Sequence, residues 1–259
     1  MARRGAHNAS VAKRGWGDDP DPREPEPRER DDWKRADSKR GRGHSRRAGP
    51  QLELPEIDPS HLRGLSQDQR DRLRQRLRDA GEAYLAERFG DAEKLLTPLA
   101  KRYPQVPEVL ELHGLTQYRL GRWKPALAAL EMFGDLTGDV DQYPVQADCH
   151  RALGSHTEVR RLWDDLRQAG PSSAIMVEGR IVMAGSLADQ DDLAGAIRLL
   201  EQGPVRAKKA KDHHLRLWYA LADLYDRAGD RQRAKRGFER IEQSEPGYVD
   251  VPERLAALG

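Results

Sequence analysis

Apolar residues begin to recur at helical spacing after Ser66. Leu73, Leu77, Ala80, Ala83 and Tyr84 predict one amphipathic helix with Ser66 as its N-cap, and Ala92, Leu95, Leu96 and Leu99 predict a second that stops at Pro104. The same pattern returns after a shift of 34 residues. Ala80 falls on Gly114, Tyr84 on Tyr118, Phe89 on Trp123, Ala92 on Ala126, Leu96 on Leu130 and Leu99 on Phe133. Two weaker copies follow, one with Ala147, Gly154, Val159, Trp163, Leu166 and Pro171, the other with Ala184, Leu193, Ala196 and Leu200. The second of these has no glycine in its turn, where Asp191 stands. The clearest copy runs from Leu215 to Tyr248 and carries Trp218, Leu221, Ala222, Tyr225, Gly229, Ala234, Phe238 and Pro246. Val249 to Leu258 reads as one more amphipathic helix beyond it.

A period of this length with small, glycine, aromatic and proline positions resembles the tetratricopeptide repeat (TPR) family, whose unit is a helix-turn-helix of 34 residues. The resemblance implies an all-α solenoid of about five helix pairs with a C-terminal capping helix over residues 66–259. The physics agrees: alanine where two helices cross lets their axes approach, glycine in the turn tolerates left-handed backbone, and no single helix can bury its apolar face alone. The resemblance further implies that the first helix of each unit lines an inner groove and that its second, fifth, ninth, twelfth and thirteenth positions meet a ligand. In this register the inner row holds Leu77, Arg78, Tyr84 and Leu85, then Glu111, Leu115, Tyr118 and Arg119, then Asp148, Arg151 and Ala152. The expected peptide-binding residues are Arg78, Tyr84, Leu115, Tyr118, Arg119 and Arg151, with Tyr84, Tyr118 and Arg151 aligned as an aromatic-arginine row. An alternative role for both tyrosines is to cover the core. Relatives that clamp acidic chaperone tails use Lys and Asn at the fifth and ninth positions; this chain departs from them with Leu77, Gly81, Leu115 and Asp148.

Upstream the pattern disappears. Over residues 1–50 the large apolar side chains are Met1, Val11, Trp16 and Trp33, whose burial would contribute at most about 12 kcal/mol. Ordering that backbone costs on the order of 50 to 100 kcal/mol, so a disordered tail is expected. An extended strap over residues 51–65, with Pro55 and Pro59, joins it to the repeats. The tail has 14 basic and 9 acidic residues, net +5, against net −3 for the rest, so the overall +2 conceals a basic arm on a mildly acidic body. Its charges come in blocks: eight acids from Asp18 to Asp32, then Lys34, Arg35, Lys39, Arg40, Arg42, Arg46 and Arg47 against Asp37. Arginine-glycine spacing at Arg40 and Arg42 and the pair Arg46-Arg47 fit nonspecific phosphate contact, as does a second cluster of Arg206, Lys208, Lys209 and Lys211. The acidic block opposes that reading, because the segment can neutralise itself.

The chemistry of catalysis is sparse. Cys149 is the single cysteine, which excludes a disulfide framework and a four-cysteine zinc site. His213-His214, His156 and Asp148-Cys149-His150 lack metal-ligand spacing, and neither a phosphate loop, a dinucleotide fingerprint nor a nucleophile elbow occurs. Residues 1–47 hold no apolar run of the length a signal peptide needs, and no stretch of about 20 apolar residues could span a bilayer. The expectation is therefore a cytoplasmic, non-enzymatic interaction module with no cofactor, no metal and no membrane, binding a protein or peptide in its groove. The second reading is an RNA- or ribosome-associated factor contacting its partner through the tail and the Arg206 to Lys211 cluster.

Overall fold

The computed structural model describes residues 56–259 apart from residue 208. The expected tail, with Arg40, Arg42, Arg46 and Arg47, lies outside the described residues, as do the first five residues of the strap and Lys208. Among the described residues there are eleven α-helices and no strand. They form five hairpins in chain order: α1 (Gln67–Leu85) with α2 (Phe89–Arg102), α3 (Pro107–Arg119) with α4 (Trp123–Thr137), α5 (Tyr143–Ala152) with α6 (His156–Ala169), α7 (Ser173–Asp189) with α8 (Leu193–Glu201), and α9 (Asp212–Arg227) with α10 (Arg231–Ser244). A last helix, α11 (Val251–Leu258), packs on α10.

Each hairpin follows from local chemistry. At the start of α1, Ser66 accepts from the Gln69 N–H while the Gln69 side chain accepts from the Ser66 N–H, a reciprocal cap that satisfies two otherwise unpaired donors. The turn inside every hairpin is the same. The backbone N–H groups of Arg88, Arg122, Ser155, Asp192 and Asp230 bond to the carbonyls of Ala83, Gln117, His150, Leu187 and Tyr225 at 2.8 to 3.0 Å. Together with a left-handed residue just before the donor, this is the Schellman closure of a helix C-terminus. The left-handed residues are Glu87, Gly121, Gly154, Asp191 and Gly229, with φ between 57° and 79°. Asp191 thus performs the turn that glycine was expected to make.

Small residues set the helix crossings. Ala80, Ala92, Ala126, Ala184, Ala196 and Ala234 are fully buried. A Cβ added at Gly114 would lie 2.6 Å from Leu130 Cγ, so even alanine is too large there unless Leu130 shifts. The core is a chain of adjoining apolar clusters: one under α1 and α2, others through the middle hairpins, and one beneath α9 to α11 that includes Trp218, Phe238 and Ile241.

The strap differs from its expected extended form. Pro59–Leu62 make one 3-10 turn, because the Asp58 carboxylate accepts the Ser60 N–H and Pro59 presets the first φ. Ile57 and Leu62 are buried against Leu73, Leu77 and Leu99, so the strap closes the N-terminal end of the stack.

Every second helix packs on the first helix of the next hairpin, and every first helix also touches the next first helix. Successive second helices make at most marginal contact. The first helices therefore converge on the inner side of the curve.

Candidate functional site

The inner face is held by polar rungs that cross from one first helix to the next. Gln142, at the start of α5, donates its amide to Glu111 Oε1 of α3 at 2.8 Å. Tyr118 donates its hydroxyl to Asp148 Oδ2 at 2.6 Å, and Arg151 donates to Asp148 Oδ1 at 2.9 Å and to Asp189 Oδ2 of α7 at 3.0 Å. Arg216 of α9 pairs with Glu178 of α7 at 2.9 Å. Tyr219 donates to Asp250 just before α11, and Arg254 of α11 reaches back to Asp223 and Asp226. Apart from Gln142 and Arg254, these residues stand two, five, nine, twelve or thirteen places into their units, so those places share one face.

The expected groove residues divide accordingly. Tyr118 and Arg151 meet around Asp148, whose side chain is 1% exposed, with Arg151 at 10%. Burial and the Asp148 carboxylate push the Tyr118 hydroxyl well above its ordinary range. Those two side chains are thus part of the wall and hold adjacent units in register. Tyr84 packs edge-on to Phe89 at 5.4 Å, as Tyr118 does to Trp123 at 5.6 Å, and burial raises its hydroxyl as well. Both tyrosines do cover the core. Arg78 is exposed, and Leu115 is half-buried. Arg119 lies over the Phe89 ring at 4.5 Å with Glu87 within 3.9 Å. Beside them Leu85 is 44% exposed. Arg78, Leu85 and Arg119 are thus exposed beside the tyrosines, and Leu115 is half-buried. Glu178, Asp189, Arg216 and Asp223 were missed; their signal is the same register continued through the fourth and fifth units. Arg254, also missed, belongs to the terminal helix and has no such signal.

The second basic cluster has a different setting. Arg206, Lys209 and Lys211 are exposed on the long connection between α8 and α9. The connection borders an open cleft of about 730 Å3 lined by Leu221 and Tyr225. Arg240 of α10 stacks on Trp218 at 3.8 Å and donates to the carbonyls of Val205 and Ala207, pinning the connection. Arg233 is likewise engaged, with Asp230 and Glu201.

The other reactive side chains have structural surroundings. Cys149 is fully buried, and burial lowers the pKa of the neighbouring His150. His156 Nδ1 meets Ser186 Oγ at 2.8 Å, and His214 Nδ1 accepts the Lys211 N–H at 3.1 Å, capping α9. Among the described residues no group of three or more His, Cys, Asp or Glu is arranged to hold a metal ion. No helix among them is long and apolar enough to cross a membrane.

No protein-family model matches the chain, and no curated protein matches it in sequence. Solved structures do. TTC0263, a thermophilic TPR protein of Thermus thermophilus, superposes with a TM-score of 0.56 over 72% of this chain and 98% of its own, at 21% identity. The apo form of the quorum sensor NprR from B. thuringiensis superposes with a TM-score of 0.54 over 72% of this chain and 58% of its own, at 18% identity. Likeness at this level speaks for the fold alone. Five Schellman-closed hairpins, small residues at the crossings of four of them and these structural neighbours together make this chain a TPR-type α-solenoid.

Proposed function

We propose that the protein is a non-catalytic scaffold that holds a protein or peptide segment against the inner face of its first helices. The observation that carries this reading is the contrast along that face: Tyr118, Asp148 and Arg151 are buried and bonded to one another, whereas Leu85 and Arg78 of α1 stand exposed. A preorganised wall lowers the ordering cost of binding, and exposed leucine and arginine next to aromatic rings supply apolar area and charged hydrogen-bond donors. The quorum sensor among its structural neighbours uses a similar fold, which supports a binding role without specifying the ligand.

The test is affinity capture from the native cell by the full chain, with and without nuclease, compared with Arg78→Glu/Leu85→Arg. Both positions are exposed, so the helical circular dichroism should be unchanged. Capture of a protein that survives nuclease and falls at least tenfold in the variant is the expected result, equal to about 1.4 kcal/mol or more of binding free energy. Capture that nuclease abolishes, or that the double substitution leaves intact, rejects the groove as the contact.

A further inference from the structure

The fourth hairpin is built differently from the others. Its second helix, α8, has 9 residues where α2, α4, α6 and α10 have 14 or 15, so it is more than one turn short. The connection to α9 takes the place of that turn and leaves the cleft of about 730 Å3 between the end of α8, the connection, α9 and α10. Pockets that hold ligands have volumes of roughly 300 to 1,000 Å3. Leu221 and Tyr225, which line the cleft, stand about half a turn around α9 from Arg216, Tyr219 and Asp223 of the inner row. The cleft is therefore separate from the inner face.

Its polar groups are unevenly used. The Pro204 carbonyl accepts from Trp218 Nε1 at 3.3 Å, and the carbonyls of Val205 and Ala207 accept from Arg240. The acid at the edge, Glu201, accepts the Tyr225 hydroxyl at 2.6 Å and pairs with Arg233. These acceptors are thus engaged within the protein. The cations of the connection are not: Arg206, which lines the cleft, and Lys209 are exposed, and neither pairs with a carboxylate among the described residues. Val205, Leu221 and the Tyr225 ring supply an apolar floor beside them. A cationic rim over an apolar floor, with its acceptors already taken, selects an anion that also carries an aliphatic group. Nucleic acid fits less well. Trp218 is buried under Arg240, and Arg233 lies over the Tyr225 ring at 4.5 Å, so little aromatic face is left on which a base could stack.

We infer that this cleft is a second binding site and that its occupant is a short acidic peptide segment of a partner protein. An aliphatic side chain of the peptide packs on Val205, Leu221 and Tyr225, and its carboxylates pair with Arg206 and Lys209. Because Trp218 and Arg240 already fasten the connection, little of it has to be ordered when the peptide arrives.

The experiment uses the full chain and a fluorescein-labelled peptide of eight residues in which aspartate and leucine alternate. Fluorescence anisotropy should show saturable binding that weakens about tenfold when asparagine replaces aspartate, and about tenfold when serine replaces leucine. Arg206→Glu/Lys209→Glu should weaken it at least tenfold with unchanged circular dichroism, since both side chains are exposed. Bound peptide should shift the amide signals of Gly203, Val205, Arg206, Ala207, Leu221 and Tyr225 and leave those of Arg78 and Leu85 in place. Absence of saturable binding overturns the inference, as does binding that the charge reversal leaves intact. Shifts confined to the inner face of α1 and α3 also overturn it, by assigning the peptide to the groove. Tighter binding of a ten-nucleotide oligouridine than of the peptide overturns it in favour of nucleic acid.

Discussion

At the scale of single residues, Glu87 and Asp191 do work usually given to glycine. Both sit at φ near +60° in the turn of a hairpin, where Gly121, Gly154 and Gly229 make the same bonds without a side-chain penalty. A left-handed L-residue costs about 1–2 kcal/mol, and the extra freedom of an unfolded glycine returns about 0.5–1 kcal/mol of that to the unfolded state. Glu87→Gly should therefore stabilise the protein by about 0.5 to 1 kcal/mol. Asp191→Gly should gain less, because aspartate tolerates this region better than glutamate. Denaturant midpoints at unchanged slope measure both; a midpoint that falls for Glu87→Gly would show that the turn is not strained. The pattern of glycines located three of the five turns in the sequence. The other two could not be found that way, because hairpin packing imposes the geometry on whatever residue stands there.

At the scale of helices, tyrosine-carboxylate bonds fasten neighbouring elements: Tyr118 to Asp148, Tyr219 to Asp250, and Tyr225 of α9 to Glu201 of α8 at 2.6 Å. These were less legible than the core. Apolar periodicity exposes each helix's buried stripe, but polar partners some thirty residues apart meet only once the spacing between first helices is fixed. Asp148 was visible as a groove position, yet nothing local marked it as the fully buried centre between Tyr118 and Arg151. The bonds have a pH consequence. Burial and the Glu201 carboxylate raise Tyr225 to about 12, whereas an unfolded tyrosine ionises near 10. Between those values the folded chain keeps a proton that the unfolded chain releases, so this contribution to stability is complete below about pH 10 and is lost as pH rises through 12. Tyr118 and Tyr219 are raised too and act in the same direction. Melts across this range should show a steep alkaline decline, shallower in Tyr225→Phe. An equal slope in that variant would show that the Glu201 contact does not control the ionisation.

At the scale of the molecule, stability is built from neighbours. Each hairpin contacts the next, the apolar clusters adjoin in series, and the strap and α11 close the two ends. Such an array has no central core whose loss unfolds everything at once. Val251 is fully buried in the last cluster with Phe238 and Ile241, and Tyr248 packs beside it. Val251→Asp puts a carboxylate into that apolar end at a cost of several kcal/mol or local opening. If the array behaves as a series, the amides of α9, α10 and α11 should lose hydrogen-exchange protection, those of α7 and α8 should lose part, and those of α1 to α4 should keep theirs. Uniform loss from α1 to α11 would instead mean one cooperative unit. The N-terminal half of the groove could not then keep its shape when the far end opens. Local loss would make the inner face of α1 and α3, where Arg78, Leu85 and Leu115 lie, a surface whose readiness to bind is independent of the C-terminal cap.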